Sequence, residues 1–183
     1  MPVAFLDRDG VINAFPGPGA YVTRWEEFRF LPRSKEAIAL LTRGGYEVHV
    51  ISNQGCVSRG LITWEGLQGL TRLMLEDIEA AGGRIAGVRY CPHRTEDVCE
   101  CKKPSDRMLW DALGPQRRGE MSSAVFIGDS REDLLAARSA GCSAWLALSG
   151  RTGRADIEAL GVVPDRICAD LWEAAGWLVQ RGS

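Results

Sequence analysis

Val3-Ala4-Phe5-Leu6-Asp7-Arg8-Asp9-Gly10 is the stretch on which the reading of this chain turns. Four apolar residues run straight into two carboxylates, Asp7 and Asp9, and a glycine. A short apolar run without polar alternation suits a strand covered on both faces. Asp7 and Asp9 then stand at that strand's carboxyl end, where Gly10 permits a sharp backbone turn.

The same step from apolar run to polar rim recurs downstream. Residues 47–51 read as a strand ending in Ser52-Asn53-Gln54-Gly55, and residues 85–90 as one running into a cysteine-rich segment and Lys102-Lys103-Pro104. Residues 124–127 end in Gly128-Asp129-Ser130-Arg131-Glu132-Asp133, and further strands are expected at 144–148 and 166–168. Helical spacing marks 34–43, 64–81, 105–113, 132–140 and 171–179, with a short helix at 157–160. Such alternation predicts an α/β fold, a mostly parallel sheet with helices on both faces. Ligands of these sheets bind beyond the carboxyl ends of the strands, where the four polar rims converge.

Composition narrows the function classes. The 183 residues favour a single domain, 1–183, with 45% hydrophobic and 25% charged residues and a net charge of -2. A nucleic-acid partner would call for a strongly basic surface, and the six tryptophans are scattered along the chain. No run approaches the roughly 18 apolar residues of a membrane span. The segment from Met1 to Asp7 has neither a basic stretch nor a cleavage site, so a cytoplasmic location is expected.

At the converging rim the residue types suit phosphoryl transfer. A strand-end carboxylate such as Asp7 can act as a nucleophile and carry a phosphoryl group. Asp9, two residues on, can protonate a leaving alkoxide and later activate water. Two carboxylates facing a phosphate need a cation, and Mg²⁺ favours carboxylate and carbonyl oxygens. Asp7, Asp129 and the Asp9 main-chain carbonyl are the expected ligands, with Asp133 one helical turn beyond Asp129. Lys103 and the Ser52 hydroxyl would balance charge on the phosphoryl oxygens. Taken singly, each of these residues suits a turn or a solvated surface; their order at successive strand ends points to chemistry. A dinucleotide site is not expected, since no G-x-G-x-x-G follows the first strand. A phospho-accepting receiver domain fits poorly, because its acceptor aspartate ends the third strand, where this chain has cysteines.

Cys91, His93, Cys99 and Cys101 fall within eleven positions. Three thiolates and an imidazole complete a tetrahedral zinc set, which predicts a small zinc-binding loop over 91–103. With every position filled by protein, such a zinc orders the chain leading to Lys103 and activates no water. Cys142, Cys168 and His49 read as core residues, Cys56 as a bystander, and Tyr21 and Arg59 as residues of strand-end loops within reach of a substrate.

On these residues the chain resembles the haloacid dehalogenase-type phosphatases. Phe5-Leu6-Asp7-Arg8-Asp9-Gly10-Val11-Ile12-Asn13 is similar to their first motif, Ile51-Ser52-Asn53-Gln54 to the second, Lys103-Pro104 to the third, and Gly128-Asp129 with Glu132-Asp133 to the fourth. The Cys-Pro-His…Cys-x-Cys insert resembles the branch that holds heptose bisphosphate and histidinol phosphatases. This resemblance implies a Rossmann-like fold without a large cap domain and a magnesium-dependent phosphomonoesterase that is a monomer. It implies Asp7, Asp9, Ser52 and Lys103 as catalytic residues and Mg²⁺ on Asp7, Asp9 and Asp129. It implies zinc on Cys91, His93, Cys99 and Cys101, and substrate contacts at Asn53, Gln54 and Lys102. Tyr21-Val22, Ser58-Arg59-Gly60 and Arg151-Thr152-Gly153 are similar to the heptose side of the branch, implying a small sugar bisphosphate as substrate, with histidinol phosphate or another sugar phosphate as the alternative. Two positions depart from that pattern: Lys102 stands where an arginine is usual, and Ser130 where a lysine is.

Overall fold

A computed structural model describes residues 1–181; Gly182 and Ser183, the end of the expected 1–183 domain, lie outside the described residues. Six strands form one sheet: β1 (Val3–Leu6), β2 (Glu47–Asn53), β3 (Gly87–Cys91), β4 (Val125–Gly128), β5 (Ser143–Ala147) and β6 (Arg166–Cys168). Their order is β3-β2-β1-β4-β5-β6, and every pairing is parallel. Five helices connect or follow them: α1 (Ser34–Arg43), α2 (Trp64–Ala80), α3 (Arg107–Leu113), α4 (Arg131–Ala140) and α5 (Leu171–Arg181).

β1 shows why the sheet must be covered on both sides. Ala4 and Leu6 join a core with residues of α1, α2 and α5, such as Ile38, Met74 and Leu178. Val3 and Phe5 join a second core with residues of α3 and α4, such as Leu109 and Leu134. Successive strand residues point to opposite faces, so an all-apolar run requires both layers. Each large side chain buried this way contributes about 1.5–3 kcal/mol.

The elements follow the sequence periodicity closely, and the differences have local causes. α3 starts at Arg107, two residues later than expected, because the Ser105 hydroxyl accepts from the Arg107 N–H at 3.2 Å and donates to the Glu100 carbonyl. Ser105 thus caps from outside the helix. β3 begins at Gly87 and runs to Cys91, since its ladder is set by β2, from His49 opposite Gly87 to Asn53 opposite Cys91. The last residues of β2 therefore face the start of the cysteine loop.

The segments after β1 and β2 contain only bridges, turns and one 3-10 turn at Trp25–Glu27. No cap domain is built there among the described residues. In the excursion between Asp7 and α1, Asn13 bridges to Phe30, and Phe28 packs against Trp25 and Phe30. This folds residues 15–21 back toward the strand ends. β1 and β4 are adjacent, while the chain leaves them toward opposite edges of the sheet. A crevice opens at such a switch point.

Candidate active site

The cleft over this switch point is floored by Asp7, Asp9, Ser52, Asn53, Lys103 and Asp129. Phe15, Pro16, Ala20 and Tyr21, from the segment after β1, and Ser130, Glu132 and Arg151, from the segments after β4 and β5, complete its lining. Lys103 is buried, and its ammonium stands 3.0 Å from Asp7 Oδ1 and 2.6 Å from Asp133 Oδ1. It also donates to the Ile51 carbonyl at 3.0 Å. Burial opposes the Lys103 charge, but Asp133 and Asp7 outweigh it and hold its pKa above the ordinary lysine value. The cleft thus keeps a permanent cation beside Asp7.

Asp133 is held as firmly. Its Oδ2 accepts from the Asp129 N–H, the Ser130 N–H and the Ser130 hydroxyl, a reciprocal cap at the start of α4. With Oδ2 so occupied and Oδ1 on Lys103, Asp133 positions the lysine from behind the cleft.

Asp9 sits in a harness of side chains. Arg8 reaches both Asp9 oxygens at 3.0 Å, Asn13 Nδ2 donates to Oδ1 at 2.8 Å, and Gln54 Nε2 donates to Oδ2 at 2.7 Å. Burial would raise the Asp9 carboxyl, but the Arg8 guanidinium, Asn13 and Gln54 hold it below the usual range. Arg8 is itself buried between the rings of Phe28 and Tyr90, 5.9 and 5.7 Å from their centroids. Gln54 Nε2 also reaches Ser52 Oγ at 3.1 Å, which links Asp9 to the hydroxyl on the neighbouring strand.

Asp129 is enclosed by two glycines. A Cβ on either Gly10 or Gly150 would fall 2.0 Å from Asp129 Oδ2. Gly10 also has φ +92°, a left-handed conformation that favours glycine. Burial, then repulsion from Asp7 and Asp133, pushes the Asp129 carboxyl up to about 8. Burial pushes Asp7 up to about 6 against the pull of Lys103. Oxygens of Asp7, Asp129 and Asp133 all lie within 4.8 Å of one another. Since Asp133 is engaged by its cap and Lys103, the open pair is Asp7 and Asp129. Two hard oxygen donors under charge strain in a glycine-lined cradle fit a divalent cation of the magnesium type.

Cys91, His93, Cys99 and Cys101 form a second cluster. Cys91 Sγ lies 3.6 Å from His93 Nδ1 and 3.8 Å from Cys99 Sγ, and Cys101 Sγ lies 3.4 Å from the same imidazole nitrogen. A tetrahedron with metal bonds of about 2.1–2.3 Å has edges of roughly 3.4–3.8 Å, so the cluster is sized for one metal ion. The loop docks through Gln54 and Ser58 main-chain N–H groups, which donate to the carbonyls of Cys91 and Pro92. Its far end is fastened by Asn53, whose Nδ2 donates to the Lys103 carbonyl at 3.2 Å and whose Oδ1 accepts from the Lys103 N–H at 3.0 Å.

Of the positions singled out in the sequence, Asp7, Asp9, Ser52, Asn53, Lys103, Asp129 and Tyr21 meet in the cleft. Gln54 does not face it; the side chain is buried and holds Asp9. Lys102 turns away and donates to the His93 carbonyl at 3.3 Å. Arg59 lies 3.7 Å from Glu96 on the cysteine loop. Cys56 is buried, with its Sγ 3.6 Å from Gln54 Oε1, and His49, Cys142 and Cys168 are buried. The sequence reading gives no role to Arg8, Phe15 or Glu132, although Arg8 and Glu132 stand within the quoted motifs. A cation between two aspartates was the one available signal, for Arg8; Phe15 and Glu132 arrive through the course of the chain.

Comparison with known proteins agrees with this geometry. A HAD-hydrolase-like family model matches residues 100–174. The D-glycero-beta-D-manno-heptose-1,7-bisphosphate 7-phosphatase of Bordetella bronchiseptica is 35% identical over 183 residues, spanning 99% of each chain. That of Rhodopseudomonas palustris is 40% identical over 147 residues, 76% of this chain and 79% of its own length. The crystal structure of the D,D-heptose 1,7-bisphosphate phosphatase from B. bronchiseptica, complexed with magnesium and phosphate, superposes with a TM-score of 0.89 at 35% identity over 99% of both chains.

Proposed function

The chain belongs to the haloacid dehalogenase-like phosphatases, and from that premise we propose that it removes the 7-phosphate of D-glycero-D-manno-heptose 1,7-bisphosphate. The observation that carries the reading is Lys103 standing 3.0 Å from Asp7, at the end of the strand adjacent to the one that delivers Asp129. A phosphoryl group in transfer is rich in negative charge, and a nucleophilic carboxylate with a fixed cation beside it answers that need.

In the first step an Asp7 oxygen attacks phosphorus and the bond to the sugar oxygen breaks, leaving an acyl phosphate on Asp7. Asp9, ionised in the free site by Arg8, Asn13 and Gln54, takes up a proton as the anionic substrate binds beside it and delivers it to the departing alkoxide. In the second step Asp9 takes a proton from water, the water oxygen attacks phosphorus, and Asp7 leaves as a carboxylate with inorganic phosphate. Lys103 and Ser52 hold the equatorial oxygens through both steps. Asp7, Asp129 and the Asp9 carbonyl would hold Mg²⁺, which when bound supplies charge neutralisation between the carboxylates and the phosphoryl group.

The second cluster takes zinc in a structural role. Four protein ligands with three sulfurs favour zinc over harder cations. Thiolate ligands need reduced cysteines, so the setting we propose is the cytoplasm. By the same reading the protein acts as a monomer, with one domain over 1–183.

The test is phosphate release with Mg²⁺ from both anomers of the heptose bisphosphate, beside histidinol phosphate. Turnover of one heptose anomer at least tenfold more efficient than that of histidinol phosphate is expected. Preference for histidinol phosphate would overturn the substrate and leave the chemistry standing.

A further inference from the structure

Of the described residues that line the cleft, the cationic ones are Lys103 and Arg151, and they are not equivalent. Lys103 is bound to Asp7, Asp133 and the Ile51 carbonyl, and belongs to the reacting phosphoryl group. Arg151 stands at the rim with its side chain 57% exposed. Its guanidinium carbon lies 5.1 Å from the centroid of the Phe15 ring, and its nearest carboxylate, Glu132, is 3.9 Å away.

The stem of this arginine is fixed although its head is free. The Arg151 N–H donates to Asp129 Oδ2 at 2.6 Å, and the Thr152 N–H donates to the Asp129 carbonyl at 3.2 Å. Ser149 Oγ donates to the Gly10 carbonyl at 2.7 Å. The loop after β5 is therefore fastened to the two strand ends that carry Asp7 and Asp129. The two departures noted in the sequence leave a gap elsewhere: Lys102 is turned to the His93 carbonyl, and the Ser130 hydroxyl is engaged by Asp133.

We infer that Arg151, held over the Phe15 ring, recognises a second anionic group of the substrate, away from the phosphoryl group being transferred, and sets a preference for bisphosphates over monophosphates. A planar guanidinium matches a phosphate through two parallel N–H···O bonds. A cation–π contact with the Phe15 ring restrains the guanidinium without using up its N–H groups. Glu132 at 3.9 Å is too distant for a strong hydrogen bond, so an incoming phosphate displaces little. Arg151 is a specificity-determining residue that acts at a distance from the reacting atoms. The inference rests on the proposed function for the identity of the sugar alone.

The experiment compares kcat/KM for two matched pairs, D-glycero-D-manno-heptose 1,7-bisphosphate against heptose 7-phosphate and fructose 1,6-bisphosphate against fructose 6-phosphate. It uses the wild type, Arg151→Ala and Arg151→Lys. The bisphosphate-to-monophosphate ratio is expected to fall roughly ten- to a hundredfold in Arg151→Ala, the loss typical of one charge-assisted contact, and to appear in KM. Arg151→Lys should recover part of it, since charge remains while the planar fork is lost. An unchanged ratio in Arg151→Ala, or equal losses on both members of a pair, overturns the inference. So does a wild type that prefers neither bisphosphate. If the wild type ignores the heptose pair but Arg151→Ala loses the wild type's selectivity on the fructose pair, Arg151 is upheld and the heptose is removed.

Discussion

Asn53 grips Lys103 with both ends of its carboxamide: Nδ2 donates to the Lys103 carbonyl and Oδ1 accepts from the Lys103 N–H. The pair joins the end of β2 to the last residue of the cysteine loop, 50 positions later. It mimics one more rung of a parallel ladder just where β2 and β3 stop pairing. The lysine that stands beside Asp7 is thus held at its backbone by a side chain and at its ammonium by Asp7 and Asp133.

Asn53→Leu should release the backbone grip while leaving the charges in place. Activity is expected to fall roughly ten- to a hundredfold, the scale of a misplaced catalytic group. Metal content of the cysteine loop should be retained, measured by elemental analysis beside the kinetics. Wild-type activity in this variant would show that Asp7 and Asp133 alone hold Lys103 in register.

Asp7→Asn should abolish turnover while the protein stays folded, because the amide is a poor nucleophile. Asp9→Asn should lower the rate by roughly 10²–10⁴-fold through loss of proton transfer. Rapid-quench measurement of bound phosphate separates the two: no phosphoprotein forms with Asp7→Asn. Residual turnover of Asp7→Asn near the wild-type rate would remove Asp7 as the nucleophile.

The raised Asp129 carboxyl makes metal binding and stability depend on pH. Metal-free, Asp129 keeps its proton up to about 8, whereas in the unfolded chain it loses it near its ordinary value of 3.8. The folded state binds more protons between these values, so this group's contribution to stability falls as pH rises from about 4 to 8. Mg²⁺ needs the carboxylate, so its binding should release protons at pH 7 and weaken as pH falls below 8. Calorimetry in two buffers of different ionisation enthalpy reads the proton release directly. Zero release at pH 7 would place Mg²⁺ away from Asp129.

Cys99→Ser should lower the metal content of the loop and loosen the chain leading to Lys103. Faster hydrogen exchange is expected over residues 92–103, with kcat reduced. Full activity in a metal-free variant would mean that the Asn53 grip and the two ion pairs hold Lys103 without the loop's metal.

Much of this site is visible in the linear chain because parallel α/β sheets obey a simple rule. An apolar run marks a strand, and whatever follows it lies on one rim. Asp7, Ser52, Lys103 and Asp129 each follow such a run directly or through a short loop, so strand order alone brings them together. The cysteine cluster is equally visible, since its four side chains are close in sequence and their meeting is local. Lys102 and Gln54 show the limit: both flank motif residues, yet one turns to the His93 carbonyl and the other is buried against Asp9.

By itself, then, the sequence determined the layered fold, the set of groups at the rim and the clustering of three cysteines and a histidine in one loop, because hydrophobic period and residue spacing are short-range properties. Only the tertiary structure decided which way each polar side chain faces. That choice belongs to long-range partners: Asp133 is claimed by Lys103, Asp9 by the buried Gln54, and Arg151 by a loop fastened to Asp129 and a ring from the segment after β1. A buried charge must find its counter-charge and its hydrogen bonds within the folded protein. Those partners are known only once distant segments have met.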